Sequence, residues 1–226
     1  MKRLTKLSPI HHAEEKWQGQ FEEQAGWQVV QWFSSVEKEM AVARNAVALC
    51  DQTHRGKLRI EGRAAGAMLT SEDLAVNAGK KSRYGFLYRL RSDLFFAWTE
   101  ADGEAAALRE FNEMANEADS LVTVTNMTQG SAELWLIGPN SSRLLSRLCS
   151  LDLHDSQFPN GTAKQSSVAK TSQLLVRQDM SKIPAYALIG ARSLASYVWQ
   201  TLFEVGKDLD LDLIGQKAFE QLTNEK

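Results

Sequence analysis

The chain switches repeatedly between two hydrophobic periods. In "SSVEKEMAVARNAVAL" the residues Val36, Met40, Ala43 and Val47 recur at helical spacing behind the N-cap candidates Ser34 and Ser35. That pattern predicts an amphipathic helix running into the polar corner "CDQTHRGK". Beyond the corner, "KLRIEG" alternates Leu58 and Ile60 with Lys57, Arg59 and Glu61, the period of a strand with one wet face. Leu58 and Ile60 are expected to point into the core, with Arg59 and Glu61 outward. "RAAGAML" then reads as a short helix. The sequence of strand, glycine and helix returns in "AELWLIGPNSSRLLSRL" through Gly138 and in "AYALIGARSLASYVWQTLFEVG" through Gly190, which suggests three related units.

Hairpins lie between these units. "FLYRLRSDLFFAWTE" has two arms around Arg91, Ser92 and Asp93, and "SQLLVRQDMSKIPAYALIG" repeats the plan with Pro184 near its bend. The helix "EAAALREFNEMANEAD" places Leu108, Phe111, Met114 and Ala115 on one face. Paired strands with intervening helices predict an α+β chain whose helices pack on mixed or antiparallel sheets. The polar stretch "HDSQFPNGTAKQSS" is the best internal linker, and a lobe boundary is placed near it.

Composition changes this picture little. The chain has 226 residues, 43% of them hydrophobic and 24% charged, with no disorder signature. A net charge of −2 argues against nucleic acid held by bulk electrostatics and favours a small-molecule or protein partner. Cys50 and Cys149 lie far apart without metal or redox spacing, which predicts reduced thiols. The start has no apolar h-region, and no run reaches the ~18 apolar residues of a membrane span, so a cytoplasmic protein is expected.

Candidate chemistry is sparse. Asp51 and His54 could orient each other, yet there is no G-x-S-x-G elbow, and the corner reads first as a turn. In that reading Asp51 and Thr53 satisfy open backbone N–H groups, His54 bonds backbone or a polar neighbour with no nucleophile in reach, and Gly56 takes a positive φ. His11 and His12 are adjacent, which suits no metal face, and there is no phosphate-binding glycine loop. Tyr84, Tyr88, Phe95, Phe96 and Trp98 form an aromatic hairpin read as core, with a flat-ligand pocket as the alternative. Arg177, Gln178 and Asp179 end a strand at a bend, as a ligand site or a solvated turn.

The run "GWQVVQWFSSVEKEMAVARNAVALCDQTHRGKLRIEGRAAGAML" resembles the N-terminal part of the folate-dependent aminomethyltransferases, the glycine cleavage T-protein family. Ala25, Gly26, Trp27, Leu49, Asp51, His54, Gly56, Lys57 and Gly62 stand in that family's order. "AELWLIGPNSSRLL" is similar to its L-Q-G-P segment and "VWQTLFEVGKDLDLDLIGQKAFEQL" to its closing stretch. The likeness covers nearly the whole chain. It implies a two-lobed aminomethyltransferase-like folate-binding fold, with residues 1–155 forming the first and central lobes and 156–226 completing it. It also implies tetrahydrofolate as cofactor, no metal, and a folate pocket with Tyr84, Arg177, Asp179, Tyr186 and Glu225 as candidates.

Departures qualify that expectation. The segment bringing the family's aspartate is missing after Tyr84, so no catalytic residue is assigned. Ile183 and Ala187 stand where the family carries carboxylates for the folate head group, although Arg177 is kept. A carboxylate replaced by an alkyl group leaves two pterin donors unpaired, a loss of roughly 1–3 kcal/mol. Thr223 replaces an arginine, and a fold lacking the family's C-terminal barrel is expected. The same profile belongs to the gamma subunit of sarcosine oxidase, which packs on a flavin-containing large subunit. The sequence is therefore read as a non-catalytic subunit of that kind in a one-carbon or amine-oxidising complex, with a homo-oligomer as another assembly and a folate-dependent one-carbon transferase as the alternative function. The iron-sulfur repair branch ranks last, because "RQDMSKIPA" lacks its cysteine.

Overall fold

The computed structural model describes residues 4–70 and 73–225; the first three residues of the basic start and Lys226 lie outside them. The chain opens with α1 (His11–Lys16) and the hairpin β1 (Gln20–Gln24) and β2 (Trp27–Trp32). Helix α2 (Val36–Asn45) follows, capped by the Ser35 hydroxyl accepting from the Lys38 amide at 3.4 Å. It turns Met40 and Ala43 inward, as its spacing predicts.

The helix does not run to the corner. It stops at Asn45, and Val47 opens a strand, β3 (Val47–Asp51), between the helix and the corner. Val47 to Cys50 are all at most 1% exposed, so both faces of β3 are apolar and neither period stands out in the sequence. The corner therefore joins β3 to β4 (Gly56–Glu61), two strands of different sheets, and not a helix to the first core strand.

From β4 onward the chain builds one plan twice. The first pass is β4, α3 (Ala65–Met68), the meander β5 (Gly79–Ser82), β6 (Gly85–Arg91) and β7 (Leu94–Thr99), then α4 (Glu104–Asn116) and β8 (Thr123–Asn126). The second is β9 (Ser131–Ile137), α5 (Ser141–Leu145), the meander β10 (Ala163–Val168), β11 (Thr171–Arg177) and β12 (Ala185–Ala191), then α6 (Ala195–Gly206) and β13 (Leu211–Leu213). Helix α7 (Gln216–Asn224) closes the described chain. The three units expected from the glycines are thus two: Gly190 lies inside β12, which ends the second meander as β7 ends the first. Gly62 and Gly138 do hold equivalent places after β4 and β9, both with positive φ (155° and 132°). A Cβ on Gly138 would run into the Ala46 carbonyl oxygen.

The first sheet is antiparallel, ordered β5-β6-β7-β4-β8. The second, β10-β11-β12-β9-β3-β13, is mixed, because β13 pairs parallel to β3 while its other pairs are antiparallel. It therefore takes strands from both sides of residue 155, and residues 156–162 form the loop leading into β10. Leu58 and Ile60 face α3 and α4, with Arg59 exposed and Glu61 half-buried, as expected. Leu134 and Leu136 of β9 likewise face α5 and α6. Between the sheets lies a third apolar layer containing Tyr88, Phe96, Trp98, Trp135 and Val176, joined by Met40 of α2 and Phe219 of α7. Among the described residues no helix is long and apolar enough to cross a membrane.

Candidate functional site

The alternation of β4 puts Lys57 on the same side as Arg59 and Glu61, but Lys57 is fully buried, against the expectation of a wet face. The covering group is Glu133 of β9, also fully buried, whose Oε2 lies 3.0 Å from the Lys57 Nζ. Lys57 spends its other donors on the carbonyls of Thr53 (3.2 Å) and Arg55 (2.7 Å). Glu133 accepts from the indole N–H of Trp98 on Oε2 (2.9 Å) and of Trp135 on Oε1 (2.7 Å). Arg55 adds a second cation, 3.8 Å from Oε1, with its guanidinium 4.4 Å above the Trp98 ring. Burial pushes the Lys57 ammonium below its ordinary value, against the pull of Glu133. Such a pair persists only when it is well satisfied, and here three acceptors surround the ammonium and both carboxylate oxygens accept hydrogen bonds, although the buried Nε of Arg55 has no partner among the described residues.

Trp135 carries this network to a cavity of about 470 Å³. Its rings continue from Trp98, stacked at 5.1 Å, to Phe219, edge-on at 5.2 Å. Phe86 of β6, Arg55 of the corner, and Gln178 and Asp179 of the bend after β11 complete the wall. Helix α7 contributes Gln216, Phe219, Glu220 and Thr223, spaced so that one helical face meets the void. These wall residues are scattered from Arg55 to Thr223, so no local motif announces them. One signal was available: Lys57 and Glu133 each stand five residues before a positive-φ glycine, and Glu133 is a charge in an otherwise apolar strand.

The structure brings together some of the sequence-named residues. Asp179 reaches the cavity wall, but its two oxygens accept from Nε and Nη2 of Arg177, each at 3.0 Å. Arg177 is buried and donates further to Asp155 (2.6 Å) and the Phe158 carbonyl (2.9 Å). These bonds, Asp179's first, raise the guanidinium pKa, and the bond from Arg177 lowers Asp155. Tyr186, cross-strand from Arg177, is buried in the layer under α5 and α6, its ring 5.7 Å from the guanidinium. Burial raises its phenol pKa. Tyr84 lies in the turn between β5 and β6 with its hydroxyl on Glu110, and Glu225 pairs with Arg44; neither lines the cavity. Ala187 is fully buried in the inter-sheet layer and Ile183 packs on it, so neither replacement offers an acceptor. The aromatic hairpin is core at Tyr88, Phe95, Phe96 and Trp98, with Tyr88 donating to Gln178 at 2.8 Å.

At the corner, Asp51 accepts from the Thr53 amide (2.8 Å) and the Thr53 hydroxyl accepts from the Glu133 amide (3.1 Å), the turn roles foreseen for both. Two expectations fail. Gly56 does not have a positive φ; a Cβ there would fall on the Thr99 hydroxyl and 2.8 Å from the Glu104 Cβ, so close packing selects glycine. The His54 ring makes no hydrogen bond among the described residues, and burial, with Lys57 and Arg55 nearby, pushes its pKa down to about 3. A hydroxyl does stand close: Ser8 lines the same small void as His54 and donates to Asp51. Cys50 and Cys149 are free thiols, and the described residues contain no cluster fit for a metal.

A family described as the GCVT N-terminal domain matches residues 10–226. An aminomethyltransferase of Halothermothrix orenii is 27% identical over 222 residues, covering 89% of this chain and 59% of that protein. The sarcosine oxidase subunit alpha of Rhizobium meliloti is 27% identical over 249 residues, 97% of this chain and 25% of that one. Among solved structures, aminomethyltransferase T of the glycine cleavage system from Bartonella henselae superposes with a TM-score of 0.83 at 19% identity, over 96% of this chain and 62% of that chain. A chain of heterotetrameric sarcosine oxidase from a Corynebacterium species gives 0.65 at 16% identity, over 97% of both. At such identities the structures speak for the fold. The chain spans about three fifths of the aminomethyltransferases it matches.

Proposed function

The chain belongs to the GCVT N-terminal domain family, and from that premise we propose that it is a non-catalytic, partner-binding subunit of a one-carbon or amine-oxidising complex, comparable to the gamma subunit of sarcosine oxidase. The observation that carries this reading is the engagement of the acids about the cavity. Asp179 is held by Arg177, Glu133 by two indoles and Lys57, and Glu100 by Arg55 at 2.8 Å, while Glu220 forms no ion pair among the described residues and accepts from the Gln216 side-chain amide at 2.7 Å. Ile183 and Ala187 supply none. A pterin has donors that need a free carboxylate, and leaving them unpaired costs roughly 1–3 kcal/mol each. The residues present do not fit tetrahydrofolate in the family's manner. The partner proposed is a flavin-containing large chain, in the cytoplasm.

Titration with tetrahydrofolate, followed by indole fluorescence, tests the reading. The expected result is no binding in the micromolar range, with a flavin-containing large chain recovered in fixed proportion when the protein is purified from its own cells. Micromolar affinity would overturn it. The transferase reading is favoured by one observation, the carboxylate of Asp179 on the aromatic cavity's wall. It requires that Asp179→Asn abolish a folate-dependent turnover that the unaltered protein displays.

A further inference from the structure

The segment before β1 is fastened across the molecule by contacts that the cavity does not use. Lys6 pairs with β2, its amide donating to Gly26 (2.8 Å) and its carbonyl accepting from Gln28 (2.9 Å). Arg192 donates to the Leu7 carbonyl (2.6 Å), and Ile10 is 1% exposed. Ser8 donates to Asp51 at the corner. Beneath the strap is a void of about 10 Å³, room for roughly one water. Glu14 of α1 and His54 of the corner both line it, 3% and 5% exposed, and neither side chain has a hydrogen-bond partner among the described residues. Two buried polar groups facing one small void are costly in their charged forms and tolerable in their neutral ones.

We infer that residues 4–16 form a pH-gated strap, closed over the β3–β4 corner while Glu14 is protonated and His54 is neutral, and loosened on either side of that window. The two groups set opposite limits. Burial, and then the neighbouring Asp51 charge, hold Glu14 well above its ordinary value of 4.5, so the closed strap binds a proton that the open one releases. Its contribution is complete below about pH 4.5 and is lost as pH rises through the folded value. His54 runs the other way: its pKa falls from 6.5 to about 3, so the contribution of the neutral ring is complete above about pH 6.5 and is lost as pH falls towards 3. Asp51, raised by burial, weakens the strap in the same direction as Glu14, although Ser8 and Thr53 hold its anion. Lys57 and Arg55 face the cluster from β4 and the corner as cations, Cys50 from β3 stays a thiol, and Trp27, Val29 and Val30 of β2 bring no charge. Between about pH 4.5 and pH 6.5 the rising contribution of His54 offsets the falling one of Glu14, so the strap stays closed across that window, and the His54 loss below it and the Glu14 loss above it run unopposed. The consequence reaches the cavity, because the clamped corner carries Arg55 and the carbonyls that hold Lys57.

Hydrogen exchange on the whole chain from about pH 4 to about pH 9, corrected for intrinsic rates and referred to β9, reads the strap through the Gln28 amide that it accepts from. A protection maximum in the stated window is expected. Glu14→Gln should keep the alkaline side closed, with protection at least about tenfold above the unaltered protein, and His54→Gln should remove the acid-side loss. A flat profile, or an alkaline loss unchanged by Glu14→Gln, would overturn the inference. Should the variants not fold, carbon NMR of the Glu14 carboxyl in the unaltered chain decides it: a midpoint at or below 4.5 refutes the gate, and one well above supports it.

Discussion

Lys57 stands five residues before Gly62 in the first unit, and Glu133 stands five before Gly138 in the second, so one scaffold position carries opposite charges in the two halves. Facing each other across the inter-sheet layer, they become a buried pair. The next positions on that side diverge completely. Arg59 reaches solvent in an ion network with Glu61 and Arg91, whereas its counterpart Trp135 is buried and walls the cavity. The helix-facing positions, Leu58 and Ile60 against Leu134 and Leu136, are nearly interchangeable. The comparison teaches that the duplicated plan is kept by the faces under the helices, while the faces turned towards each other carry whatever distinguishes this molecule.

The harshest way to break the comparison is to remove one half of the shared pair. Glu133→Ala leaves the Lys57 charge uncompensated and two indole N–H groups unmatched in the interior, and urea denaturation should show a loss of about 3–5 kcal/mol. Pairing Lys57→Met with Glu133→Leu should recover most of it; a single-variant loss below about 1 kcal/mol would mean that the charges are not coupled. A milder probe exchanges the residues one step earlier, Gly56 and Ala132. Gly56→Ala drives a Cβ into Thr99 and should cost about 1–3 kcal/mol, while Ala132→Gly should cost only about 0.5–1 kcal/mol. Equal losses would show that the two strands are packed alike after all. The smallest effect is expected at the wet position: Arg59→Ala should change stability by no more than about 0.5 kcal/mol, and a greater loss would place it in the core with Trp135.

Much of the architecture was legible because it rests on local rules. The hairpin of β6 and β7 turns at Ser92 and Asp93, that of β11 and β12 spans Pro184, and α2 starts at a serine cap. Burial on two sides hides the rest. "VALC" has no polar face to betray its period, so the sequence does not separate this strand from the preceding helix. Lys57 alternates correctly with Leu58, yet whether its side is wet or dry depends on a residue of β9 far along the chain. The candidate site was legible only at Arg177 and Asp179, which share one strand end. Tyr84 and Glu225 have local partners of their own, and the cavity is assembled from single residues of separate elements.

The placement of β3 has a consequence for how the molecule comes into being. This strand is made early, yet in the second sheet it lies between β9 and β13, where Leu211 pairs with Val47. At roughly 5–20 residues per second, the ribosome takes on the order of ten seconds to travel from one to the other. Throughout that interval β3 is an apolar segment with its parallel neighbour not yet made. Closure of the sheet at this edge is therefore a late, long-range event.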